Sequence, residues 1–139
     1  MKNMVAGLLI LGGLVAFPVQ ANETDMVEKA KRAAHKWLQL TDHHKYAKSW
    51  TQASSYFQSA IDKPTWVGAM NATRKPLGRV KSRTLKFSSF SETLPNAPKG
   101  KYVVLQYSTV FEGKPDALET VTPMLDKDGT WKVAGYFIK

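Results

Sequence analysis

At Gly78 the apolar period of this chain changes, and no other feature limits its possible folds so much. Before that residue, apolar side chains recur at helical steps of three and four; beyond it they alternate as in strands. Thr24 is placed as an N-cap ahead of Asp25, and Met26, Ala30, Ala33, Trp37 and Leu40 predict an amphipathic helix. After the polar break TDHHK, Tyr46, Trp50, Ala53, Phe57 and Ala60 repeat the spacing and predict a second helix packed antiparallel on the first. Asp62 ahead of Lys63 and Pro64 is a cap and first-turn signal for a third, short helix with Trp66 and Met70 inward, stopped by Pro76 and Gly78. Residues 79–90, 101–111, 117–125 and 130–139 then read as strands, separated by LPNAPKG, EGKPD and DKDG. The expected class is α+β, with three N-terminal helices followed by a four-stranded curved antiparallel sheet packed on them.

The first 21 residues stand apart: Lys2, the apolar run MVAGLLILGGLVAF and PVQA ahead of NETD read as an export signal cleaved after Ala21. The run is short for a membrane span, and no later segment is apolar for long enough to be one. A periplasmic or secreted domain beginning at Asn22 is expected, a single unit formed by the 118 residues that remain of 139. The chain has no cysteine, which excludes disulfides, thiolate metal sites and a lipidated cysteine anchor. Losing Lys2 with the leader lowers the formal charge from +9 to +8, a balance that favours anionic surfaces.

The candidate site lies in RKPLGRVKSRTLKF, where Arg74, Lys75, Arg79, Lys81, Arg83 and Lys86 occur without an acid among them. On a strand, Arg79, Lys81, Arg83, Leu85, Phe87 and Ser89 share one face. If that face is concave, Arg79 and Arg83 stand at the mouth of an apolar pocket and Arg74 arrives from the third helix. Arginine suits this role because its planar fork matches carboxylate or phosphate in two-point contacts. Arg74, Arg79, Lys81 and Arg83 are therefore the expected anion-binding set, with Tyr46, Trp50, Trp66, Leu85 and Phe87 as pocket-lining residues. Two plainer readings compete with this one. The cations guard a sheet edge, and the helical spacing of Trp37, Tyr46, Trp50, Phe57 and Trp66 is that of a core stripe.

Other chemistry has less support. His43 and His44 are adjacent and diverge, so no metal site is expected, and DKDG lacks the later ligands of a calcium loop. No nucleophile elbow, phosphate loop or dinucleotide fingerprint occurs, and no cofactor is expected. Acid–base catalysis would have to use Asp42 or Asp62 with Tyr46 or Tyr56, yet both aspartates sit where helix caps are wanted, Asp42 before the second helix. Nucleic acid is not the expected partner, since within 74–87 only Phe87 is an aromatic on which a base could stack.

Trp37-Leu38, Asp42, Tyr46 and Ser49-Trp50, then Arg74, Pro76-Leu77-Gly78 and Arg83, then Gly135-Tyr136, resemble a family of small exported bacterial proteins catalogued as domain of unknown function 4019. The resemblance covers essentially the whole chain after the leader and implies no established activity. The order of helices and strands also resembles the nuclear-transport-factor-like and cystatin-like cone folds, which would leave a pocket between sheet and helix. The resulting expectation is a non-enzymatic periplasmic binding or accessory module for an anionic small molecule or an envelope partner. A pocket enzyme and a secreted inhibitor or immunity-type protein working through a strand edge are the alternatives.

Overall fold

The computed structural model describes residues 12–15 and 19–139. Most of the expected leader, residues 1–11 and 16–18, lies outside them. Among the described residues no helix is long and apolar enough to cross a membrane. The elements run α1 (Val19–Asp42), α2 (Tyr46–Thr51), α3 (Ser55–Ala60), α4 (Lys63–Thr73), a 3-10 turn (Lys75–Leu77), β1 (Val80–Ser91), β2 (Tyr102–Phe111), β3 (Lys114–Leu125) and β4 (Trp131–Ile138). The α+β class and the single antiparallel sheet are as expected. The strands pair in chain order, β1-β2-β3-β4, and α1 touches all four.

Four helices stand where three were expected. The predicted second helix breaks after Thr51, because the Ser54 hydroxyl accepts from the Phe57 amide and caps a new helix, while the Ser54 amide is drawn to the Val133 carbonyl. Asp126, in the turn after β3, receives the Ser55 amide and hydroxyl at 3.0 and 2.6 Å, tying α3 to the sheet. α1 is already helical at Val19, so Thr24 lies inside it and is not its cap. Its buried stripe is Ala30, Ala34, Trp37, Leu38 and Thr41, turned slightly from the expected Ala33 and Leu40. Asp62 does cap α4, accepting from the Thr65 amide at 2.8 Å.

Asp42 does not cap α2. It is the last residue of α1, and the chain leaves the helix through a left-handed His44 (φ 59°), with the Lys45 amide on Leu40 O and the His44 amide on Thr41 O. These are the two bonds of a Schellman C-terminus. A carboxylate at this end opposes the helix dipole, so Asp42 needs cations from elsewhere in the fold.

The core lies between α1, the short helices and the inner face of the sheet. Trp37, Phe57, Trp66 and Tyr136 meet there, with Trp37 and Tyr136 ring centres 5.2 Å apart. The indole nitrogens of Trp37 and Trp66 both donate to Ser49, at its carbonyl and its hydroxyl, so these buried rings leave no donor unmet. At the chain's change of period Gly78 has φ 74°, a left-handed conformation that glycine adopts without strain.

Candidate functional site

Two helix ends and one strand converge beside this core: the C-terminus of α1, the C-terminus of α4 and the first half of β1. They bring Asp42, Arg74 and Arg83 together, and β3 adds Glu119. Arg83 grips Asp42 in two-point fashion, Nη1 to Oδ2 at 2.8 Å and Nη2 to Oδ1 at 2.9 Å, and turns its Nε to Glu119 Oε1 at 2.8 Å. Arg74 donates from Nη2 to Asp42 Oδ1 at 2.8 Å and from Nη1 to Thr41 Oγ1 at 3.0 Å and Tyr136 Oη at 3.2 Å. The Thr109 hydroxyl donates to Glu119 Oε1 at 2.5 Å, and the Tyr136 hydroxyl donates to Glu119 Oε2.

Arg74 is 2% exposed and Glu119 not at all. Two full charges so far from water are tolerable only when paired and hydrogen-bonded, and here two guanidinium groups face two carboxylates. Each carboxylate oxygen accepts at least one hydrogen bond. Among the described residues Arg74 Nε has no hydrogen-bond partner; its guanidinium lies over the Phe111 ring, 4.8 Å from the centroid, where the ring face attracts the cation.

The protonation states follow. Burial opposes ionisation of Asp42, but the hydrogen bonds and charge of Arg83, then of Arg74, outweigh it and hold the carboxyl below its usual range. Burial likewise works against the Arg83 cation, yet its hydrogen bond to Asp42 and the Glu119 charge hold its proton more firmly than usual. Burial first, and the Glu119 charge second, push Tyr136 up, so it remains a neutral donor. Burial also pushes Tyr107 up to about 12.

This arrangement gives an acid-lability prediction. A carboxyl lowered in the folded state contributes stability that is complete above its ordinary pKa of 3.8 and is lost as pH falls through the lowered folded value. Urea midpoints measured from about pH 6 downward should fall below about pH 4. Asp42→Asn, destabilised throughout, should show a shallower fall because this carboxyl no longer titrates, and a fall should remain because Asp62, Glu112, Asp126 and Asp128 are also lowered.

The sequence-expected anion set therefore divides. Arg74 and Arg83 do converge, but on the protein's own carboxylates. Arg79 points outward, its side chain 88% exposed, and pairs with Glu112 at 2.8 Å. Lys81 is exposed and makes no ion pair among the described residues, although its charge helps to lower Glu112.

The five expected pocket residues line none of the four surface depressions described. Tyr46 and Trp66 are buried in the core; Trp50 and Leu85 pack against it, and Trp50 bonds Ile61 O. Phe87 was expected beside Arg83 and Leu85, but a bulge between Leu85 and Phe87 reverses the faces. Phe87 is half exposed, and Phe90 packs on the core in its stead. The acid–base pairs considered from the sequence do not form: Tyr46 Oη meets His44 Nδ1, Tyr56 donates to Asn96 O, and both aspartates are engaged elsewhere.

Glu119 is the residue the sequence reading missed. Its signal was present: Ala117, Glu119, Val121 and Pro123 alternate on one face of a strand, so a carboxylate sits in register with core positions. Comparison with curated proteins and with solved structures gave no match. A family model, described as a protein of unknown function (DUF4019), matches residues 33–136, a span that takes in Asp42, Arg74, Arg83, Glu119 and Tyr136, and the chain belongs to that family.

Proposed function

We propose that this protein is an exported, non-enzymatic binding or accessory module, and that it meets an anionic ligand or envelope partner at its surface, away from the arginine network. The observation that carries this reading is the closure of the network. Both carboxylates and both guanidinium groups are committed to one another, so neither a free acid–base pair nor a vacant anion site is left there. The excess positive charge of the chain resides instead in side chains such as Lys81, Lys99, Lys101 and Lys127, which have no ion pairs among the described residues. Such charge speeds encounter with anionic partners and does so in a salt-dependent way.

The test is co-sedimentation of the purified protein with vesicles of an anionic lipid and of a zwitterionic one, at low and at physiological salt. Binding to the anionic vesicles alone, weakened by salt, is the expected result. Equal binding to both would refute the reading, as would binding to neither by a protein that also fails to bind a small amphipathic anion.

A protein-partner version has one observation in its favour. Phe87, Gln106, Thr120 and Phe137 stand opposite one another on successive strands, forming an uncharged row across the outer sheet face. Both phenylalanines are well exposed, at 50% and 62%.

A further inference from the structure

We infer that the groove between α3, the 92–101 loop and the β3–β4 turn binds a small amphipathic anion, one acidic head on an acyl or similarly apolar tail. This rests on the anionic-partner reading above and names the place and the ligand class. The groove encloses about 530 Å³, within the range of small-molecule sites. Tyr56, Pro98 and Met124 give it apolar lining, and Lys99, Lys101 and Lys127 also line it.

Two features separate it from an ordinary surface dip. The first is charge. None of the three ammonium groups has a hydrogen bond or ion pair among the described residues. The lining acid, Asp126, is already committed to the Ser55 amide and hydroxyl and to the Lys127 amide. Three lysines against the one carboxylate of the lining, which itself also faces Lys132 Nζ at 3.7 Å, leave a net positive field, and an anion complements it. The second is preorganisation. The loop wall is fixed by the Tyr102 hydroxyl on Pro98 O at 2.5 Å, the Gly100 amide on Glu92 O and the Leu125 amide on Lys101 O. The Tyr56 hydroxyl is held by Asn96 O at 3.1 Å. A groove held open by its own bonds needs little ordering when a ligand enters.

An apolar wall with cations on it calls for both halves of an amphiphile. Charge alone would suit any exposed lysine, and an apolar tail alone would leave the lysines unused.

The test is calorimetric titration of the purified protein with octanoate, decanoate, acetate and octanol. Octanoate should bind, and each added methylene should tighten binding by about four-fold. Acetate lacks the tail and octanol the charge, and both should bind at least about ten-fold more weakly. Lys99→Gln/Lys101→Gln/Lys127→Gln should weaken octanoate by about ten-fold or more while leaving octanol binding and the urea midpoint unchanged. Octanoate binding no tighter than acetate or octanol, or a triple variant that binds octanoate like the parent, would overturn the inference. If the protein sediments with anionic vesicles yet does not take up octanoate or decanoate, the groove assignment fails and the broader reading stands. If it does neither, both fail.

Discussion

Arg83→Glu is expected to abolish cooperative folding, whereas Arg79→Glu, only four positions earlier on the same cationic stretch, should leave the urea midpoint close to that of the parent. At Arg83 the reversal would set a third carboxylate against Asp42 and Glu119, with Arg74 as the one cation left paired with them among the described residues. Breaking a buried pair by removing one partner costs about 3–5 kcal/mol, and reversal adds like-charge repulsion to that. A domain of this size has a total stability of about 5–15 kcal/mol, so the loss is comparable with the whole. Arg79 extends into water and pairs with Glu112 at the surface, where screening leaves an ion pair little influence on stability. Loss of the near-ultraviolet circular dichroism of the core tryptophans in one variant and its retention in the other would show the contrast directly.

Glu119→Leu carries the second large effect. The leucine would have apolar neighbours in Val121 and the inner sheet face, but Arg83 would lose its Nε partner, Tyr136 and Thr109 would lose their acceptor, and Asp42 alone would face two guanidinium groups. A loss of about 3–5 kcal/mol is expected for uncompensated buried charge, measured as the shift in urea midpoint at unchanged slope. Restoring balance with Arg83→Met in the same chain should recover part of that loss, since Arg74 and Asp42 then remain as a single pair.

Much of this fold was legible because its signals were local. The change of period at Gly78, the Asp62 cap and the Asp128-Gly129 turn each depend on neighbouring residues, and Gly129 does take a left-handed φ of 81°. The breaks and bulges were less legible. Ser54 looked like one more polar residue within a helical stripe until the Val133 carbonyl drew its amide away, and the bulge after Leu85 is a matter of pairing with β2. The candidate site was half visible. Three arginines without local acids pointed to an external carboxylate or phosphate, whereas Arg74 and Arg83 hold carboxylates of the chain itself. That those carboxylates come from the same chain, 32 and 36 positions away in the Arg74–Asp42 and Arg83–Glu119 pairs, is a fact of tertiary structure that no spacing rule contains. An aspartate at a helix C-terminus and a glutamate in register with core positions were the two clues to it, since each is costly without a cation.

The central claim is that Arg74 and Arg83 are the framework of the domain and not its binding surface. A double-mutant cycle of Arg83→Met and Glu119→Leu, followed by urea unfolding at neutral pH, tests it most directly. A buried pair at the heart of the fold predicts a coupling energy above about 1.5 kcal/mol, with the double variant more stable than the two single losses would sum to. Additivity within about 0.5 kcal/mol would mean that the two residues stabilise the fold independently, and it would return Arg83 to the list of cations free to meet a ligand.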